Sequence, residues 1–182
     1  MPYVSRAGEK LAYALTEFRV VVTSLVCADF GSNTGGFVDC LLQNGARKVY
    51  AVETGYGVLD WNLRNDSRVV AMERSNAMHV ALPEKVDLVS IDTSWTKLAK
   101  VVPNALQNLA PNGQIIALVK PHYEASPHQL RKGKLPEDHI PQILAQVRLD
   151  LEALGLRVHG IVESPIVGGK AKNKEYLCHV TL

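Results

Sequence analysis

The stretch Ala28-Asp29-Phe30-Gly31-Ser32-Asn33-Thr34-Gly35-Gly36-Phe37 joins an apolar run to a helical pattern and carries three glycines. Glycine admits positive φ and lets a backbone approach a ligand closely. The junction of a parallel strand with the following helix is where open α/β sheets place ligands. The spacing is not G-x-G-x-x-G, and without G-K-[ST] the turn is not a phosphate-cradling loop. A tight turn with no ligand is the plain alternative. The turn alone does not separate a nicotinamide site from a sulfonium-cofactor site.

Other candidates fall at the ends of apolar runs. VYAVE closes on Glu53, where a carboxylate could accept both hydroxyls of an adenosyl ribose, a device both cofactor classes share. VDLVSID closes on Asp92, whose charge should face a cleft, because an unpaired buried charge is costly. A capping or solvated acid is the alternative for each. IIALVK closes on Lys120, before Pro121; burial of its stem would favour the neutral amine that a base needs. A snorkelling surface lysine is the alternative there. Lys10 and Glu175 could join these groups if both ends of the chain fold over the same edge.

The elements that would position these residues alternate. Strand patterns cover Leu25–Phe30, 49–52, 68–72, 86–92, 114–120, Arg157–Glu163 and Tyr176–Thr181. Helical spacing covers Glu9–Phe18, Gly36–Gln43, Leu59–Arg64, Leu98–Leu109 and Ile140–Leu154, with Pro111-Asn112-Gly113 read as the turn after the fourth. The polar, proline-bearing stretch after Lys120 reads as a long loop, a kind that is usually functional. Strands alternating with helices predict an α/β fold with a doubly wound, mostly parallel sheet and helices on both faces. At 182 residues this is one domain, able to hide on the order of 70% of its extended surface.

Composition excludes several classes. With 47% hydrophobic and 21% charged residues, the chain is neither disordered nor collagenous. No apolar run approaches the ~20 residues that span a bilayer, and MPYVSRAGEK is not a signal peptide. Three cysteines without C-x-x-C spacing fit a reducing, cytoplasmic setting. The six histidines never fall into H-x-H or H-E-x-x-H, so no metal site is readable. A net charge of +2 permits a nucleic-acid partner without arguing for one.

Taken together, YVSRAGEKL, ADFGSNTGGFVDCLLQNGARKVYAVETGYGVLDWNLRND, IDTSW, LVKPHYEA and KNKEYL resemble the TlyA/hemolysin-like branch of the FtsJ-type RNA ribose methyltransferases. The resemblance runs in register from Tyr3 to the C-terminus. It implies a class I methyltransferase (Rossmann-like) fold, S-adenosylmethionine as donor, and transfer to a ribose 2′-hydroxyl of ribosomal RNA. It also implies a lysine-aspartate-lysine-glutamate tetrad, here Lys10, Asp92, Lys120 and Glu175. Cofactor contacts are expected from Asp29, Gly31, Ser32, Thr34, Gly35, Gly36, Phe37, Glu53, Asn76 and Asp92. Glu53 stands where the family often has aspartate.

Departures accompany the matches. Ala7-Gly8 replaces the usual Gly-Gly, Thr93 and Trp95 replace Val and Phe, and the loop after Glu124 lacks glycines the family tends to keep. The branch normally carries an N-terminal S4-type RNA-binding domain, for which this sequence leaves no room. RNA contact is therefore expected from Arg131-Lys132-Gly133-Lys134 and Lys170-Ala171-Lys172-Asn173-Lys174, helped by Arg6, Arg64 and Tyr123. A non-catalytic RNA- or ribosome-binding module of the same fold is the alternative. A nicotinamide oxidoreductase is disfavoured by the missing glycine fingerprint. The hemolysin label suggests pore formation, but no spanning or strongly amphipathic membrane segment supports it.

Overall fold

A computed structural model describes residues 1–168 and 172–182. Seven strands form one sheet in the order β3-β2-β1-β4-β5-β7-β6. Strands β1 (Val26–Phe30), β2 (Lys48–Val52), β3 (Val69–Met72), β4 (Val86–Ile91) and β5 (Leu109–Val119) pair in parallel. Strand β7 (Tyr176–Thr181) runs antiparallel to both β5 and β6 (Arg157–Glu163). The order reverses at β1, between β2 and β4. The carboxyl ends of these strands therefore open a crevice there, where such sheets bind ligands.

Both faces of the sheet are covered because the central strands are apolar on both sides. Val26, Ala28 and Phe30 of β1 and Ile115, Ala117 and Val119 of β5 pack with Leu98, Val101, Val102 and Ala105 of α4 (Leu98–Asn108) and with Val147 and Leu151 of α6 (Ile140–Ala153). Cys27, Ile116, Leu118 and Leu177 point the other way. They meet Leu11, Ala14 and Leu15 of α1 (Ala7–Glu17) and Phe37, Val38 and Leu41 of α2 (Gly36–Gln43). The short α3 (Trp61–Arg64) adds Leu63 to this second layer.

Two expectations change. Pro111-Asn112-Gly113 does not separate α4 from a strand beginning at Gln114; β5 begins at Leu109, directly after the helix. The three residues lie in a bulge, since Val86 pairs with Leu109 but Leu88 already pairs with Gln114, and Asn112 takes φ +65°. The ladder resumes on both sides of the turn, as bulged strands do. The stretch after Lys120 also holds more structure than a loop. Pro121 begins the one-turn helix α5 (Pro121–Glu124), and 3-10 turns follow at Pro127–Gln129 and Glu137–His139. Proline suits the first helical position because it has no N–H to satisfy there. The Glu124 carboxylate accepts the Leu98 amide at 2.8 Å, so α5 caps the start of α4.

Candidate functional site

Every predicted tetrad residue sits at the carboxyl edge of the sheet or on an element folded over it. Asp92 follows β4, and its amide donates to the Phe30 carbonyl at 3.0 Å. Lys120 follows β5 and leads into α5. Lys10 lies on α1 and is buried, and Glu175 stands just before β7 with 5% exposure. The structure brings the four together as two ion pairs. Lys10 Nζ donates to Glu175 Oε2. Lys120 Nζ lies 2.5 Å from Asp92 Oδ1 and donates to the Thr93 carbonyl at 3.2 Å. Lys120 is thus neither a snorkelling surface residue nor a lone desolvated amine.

The β1–α2 turn shows why its glycines are needed. Gly31 has φ +88°, and a Cβ there would lie 2.6 Å from the Asp92 carbonyl oxygen. The turn is pinned to β2 by the Gly31 and Ser32 amides, which donate to the Val52 carbonyl at 2.9 and 3.0 Å. Gly35 also takes positive φ, but a Cβ there would strike Leu63 and Leu59. It shapes the turn without lining either hollow beside it.

Three connected hollows surround this edge. The first, about 380 Å³, is lined by Gly31, Glu53, Asn76 and Asp92, with Val52, Ala77, Met78 and Val101 as apolar walls. The second, about 190 Å³, holds Asp29, Gly31, Ser32, Thr34, Gly36 and Phe37 together with Asp92 and Lys120. The third, about 580 Å³, is lined by Lys10, Lys120 and Glu175 with Trp95, His122 and Tyr123. All the predicted cofactor residues except Gly35 therefore line the first or second hollow.

The electrostatics differ from residue to residue. Burial would raise the Glu53 carboxyl. Hydrogen bonds from the Gly55 and Asn33 amides, each at 2.9 Å, and from the Thr54 hydroxyl outweigh it and hold the group below its ordinary value. Asp29 is 1% exposed. Burial pushes its carboxyl up to about 8, opposed by the Ser90 hydroxyl at 2.7 Å and reinforced by the charges of Asp92 and Glu53. His122 is lowered by burial and then by the neighbouring Lys120 charge. Ser32 Oγ is buried with no hydrogen-bond partner among the described residues.

The third hollow has an aromatic wall. Trp95, 85% exposed, lies 5.0 Å from Tyr123 between ring centroids, and the His122 ring lies 4.2 Å from that of Tyr123. Gly133 lines the same hollow, and the Arg131 and Lys134 backbones exchange hydrogen bonds of 2.8 and 3.0 Å around Lys132 and Gly133, both at positive φ. This tight hairpin exposes three cations at the rim. Of the second basic run, Lys172 is exposed, while Lys174 is engaged by Glu137 at 3.3 Å and Glu163 at 3.4 Å. Lys170 and Ala171 lie outside the described residues. Arg6 is exposed at the start of α1, and Arg64 is paired with Glu73 instead of being free for RNA. Sequence reasoning missed Asn33, Ser94 and His122, which line the hollows; their only signal was adjacency to motif residues.

Among the described residues no group of three or more His, Cys, Asp and Glu could hold a metal ion, and no helix is long and apolar enough to cross a membrane.

Comparison with known proteins places the whole chain. The model of the FtsJ-like methyltransferase family matches residues 3–181. A candidate rRNA methyltransferase, YqxC of Bacillus subtilis (strain 168), is 41% identical over 189 residues, covering 98% of this chain and 65% of its own. The 16S/23S rRNA (cytidine-2′-O)-methyltransferase TlyA of Mycobacterium tuberculosis (strain ATCC 25618 / H37Rv) is 39% identical over 181 residues, covering 96% of this chain and 66% of its own. The present chain thus spans about two thirds of the length of these relatives. Among solved structures, a candidate hemolysin from Lactococcus lactis superposes with a TM-score of 0.94 at 39% identity, covering 99% of this chain and 88% of that one.

Proposed function

The chain belongs to the FtsJ-like methyltransferase family, and from that premise we propose that it transfers a methyl group from S-adenosylmethionine to a ribose 2′-hydroxyl of RNA, with ribosomal RNA as the substrate class. The observation that carries this reading is the pair of ion pairs, Lys10–Glu175 and Lys120–Asp92, set where a cofactor-sized hollow meets a second, larger one. The substrate class is supported by the relatives, one of which is named for cytidine 2′-O-transfer on 16S and 23S rRNA.

The residues present fit the donor. Glu53, held ionised by its backbone donors, would accept the adenosyl ribose hydroxyls. Asn76 and the apolar walls of the first hollow suit a flat base. The unpartnered Ser32 hydroxyl and the Asp29 carboxyl suit the polar amino-acid end. When bound, the sulfonium supplies an electrophilic methyl, so an oxygen–carbon bond forms as the carbon–sulfur bond breaks.

A ribose hydroxyl is a poor nucleophile until its proton leaves, so a base must stand beside it. Lys120 would take that proton as a neutral amine, after its own ammonium proton has passed to solvent, with Asp92 and the Thr93 carbonyl fixing its position. Lys10, fixed by Glu175 in the lining of the same hollow, would donate to the acceptor's oxygens. Most of the gain then comes from alignment rather than covalent help. The Trp95–Tyr123 wall offers a face for the acceptor base, a contact worth roughly 1–3 kcal/mol.

Nucleoside mass spectrometry of ribosomal RNA from cells with and without the gene tests this reading. One 2′-O-methyl nucleoside should disappear on deletion and return when purified protein and S-adenosylmethionine are added. An unchanged nucleoside profile, with no transfer to ribosomal RNA in vitro, would overturn it in favour of a binding module.

A further inference from the structure

Asn33 and Ser94 are the two residues that line all three hollows without belonging to the tetrad or to the expected cofactor contacts. They come from different elements. Asn33 sits in the turn between β1 and α2, and Ser94 in the loop after β4. Because both line all three, they mark the junction, here called the neck, between the donor-side hollows and the acceptor side.

Both backbones are held while both side chains are left over. The Asn33 amide donates to Glu53 Oε2 at 2.9 Å, and its φ of +48° is a left-handed conformation that asparagine tolerates better than most residues. Its carboxamide has one long contact, from the Thr34 hydroxyl at 3.4 Å, and its NH2 has no acceptor among the described residues. The Ser94 carbonyl accepts from Thr96 Oγ1 at 3.3 Å, but the Ser94 hydroxyl makes no hydrogen bond among the described residues. The residue before it, Thr93, gives its carbonyl to Lys120 Nζ. The loop that carries Ser94 is therefore tied to the group that stands as base.

We propose that the Asn33 carboxamide and the Ser94 hydroxyl grip the acceptor ribose at this neck and set its 2′-oxygen on the line of transfer. The inference rests on the methyl-transfer reading and adds the contacts that recognise the ribose itself. The chemistry matches the ligand. A 2′-hydroxyl both donates and accepts, and it distinguishes RNA from DNA at a given site. Carboxamide and hydroxyl groups each offer donor and acceptor, carry no charge, and so leave proton removal to Lys120. Alignment of donor and acceptor atoms is where a small displacement costs most in rate.

Asn33→Gly removes the carboxamide and keeps a residue suited to positive φ, and Ser94→Ala trims one exposed hydroxyl, so both variants should fold. With ribosomal RNA as substrate, each should lower kcat by roughly tenfold to a hundredfold. S-adenosylmethionine affinity by calorimetry and Tm should stay at the wild-type values. A second measurement needs no turnover. Wild-type protein should bind a mixed-sequence single-stranded RNA more tightly than its DNA counterpart, and the double variant should lose part of that preference. Full kcat with undiminished RNA-over-DNA preference would overturn the proposal. Should wild-type protein transfer nothing to ribosomal RNA, the methyl-transfer reading falls, and the binding comparison still decides whether the neck recognises ribose.

Discussion

Lys120 can be separated from a purely electrostatic role by substitution. Arginine keeps a cation near Asp92 and RNA but cannot be deprotonated in a protein, so it cannot act as a base. Lys120→Arg and Lys120→Ala should both bind S-adenosylmethionine as wild type does, yet lose transfer by roughly 10²-fold or more. Calorimetry and tritiated-methyl transfer read the two quantities, and an active arginine variant would remove Lys120 from the base role. Asp29 gives a different test, in stability. Its carboxyl has an ordinary value of 3.8, raised to about 8 by burial in the folded protein. Between those values the folded state keeps a proton that the unfolded chain has released, so this group's contribution declines as pH rises and is fully lost above about 8. Asp29→Asn cannot ionise and still offers an oxygen to the Ser90 hydroxyl. Its stability relative to wild type, measured by denaturant unfolding without cofactor, should be flat below about pH 3 and should grow from about pH 4 to pH 8. A constant difference across that range would mean that the buried carboxyl ionises normally.

At the scale of elements, the question is how α1 brings Lys10 to a sheet edge otherwise built by β1, β4 and β5. Gly36 at the start of α2 answers it, because a Cβ there would overlap Ser5 Oγ and come within 2.9 Å of Ala7 Cβ and the Gly8 nitrogen. The two helix starts touch only because that side chain is missing. Gly36→Ala should cost about 1–3 kcal/mol through overpacking. It should also slow transfer, since Lys10 moves with its helix; chemical denaturation and a rate assay report the two effects. Gly168 does the same for Glu175, whose carboxyl a Cβ at that position would overlap. Gly168→Ala should reduce transfer in the wild-type background but add nothing to Glu175→Ala, a non-additivity expected only if the glycine acts through the carboxylate. How far these arrangements were legible follows from what each signal reports. β1, α2, β6 and β7 stand out because apolar runs and helical spacing are local properties. Pro111-Asn112-Gly113 misled because a turn signal reports local backbone, not whether a ladder resumes beyond it. The pairing of Lys10 with Glu175, 165 residues apart, has no local signature and was readable only through family resemblance. Asn33 and Ser94 carried no signal beyond adjacency to motif residues, since a polar residue in a turn reads the same whether it faces solvent or lines a site.

On the scale of the whole molecule, the proposed RNA substrate has to be drawn by local attraction, because a net charge of +2 is too small to act as a diffuse field. Several cations are already neutralised: Lys48 by Glu84, Arg64 by Glu73, Arg68 by Asp66, and Lys174 by Glu137 and Glu163. Arg131, Lys132 and Lys134 carry no such pair among the described residues, and their hairpin stands beside the acceptor hollow that Gly133 lines. Backbone phosphates flanking a nucleotide seated at Trp95 and Tyr123 would pass this rim. Phosphate contacts position a substrate without reading its sequence, and each releases counterions. Replacing all three cations with glutamine should therefore weaken RNA binding and flatten its salt dependence. For a single strand the slope of log K against log salt should fall by about 2 if each residue holds one phosphate. Cofactor affinity and the rate at saturating RNA should stay at wild-type levels, because neither the ion pairs nor the neck is touched. Affinity measurements across a salt series decide the matter: an unchanged slope would move the RNA path away from these three cations and toward other exposed cations such as Arg6.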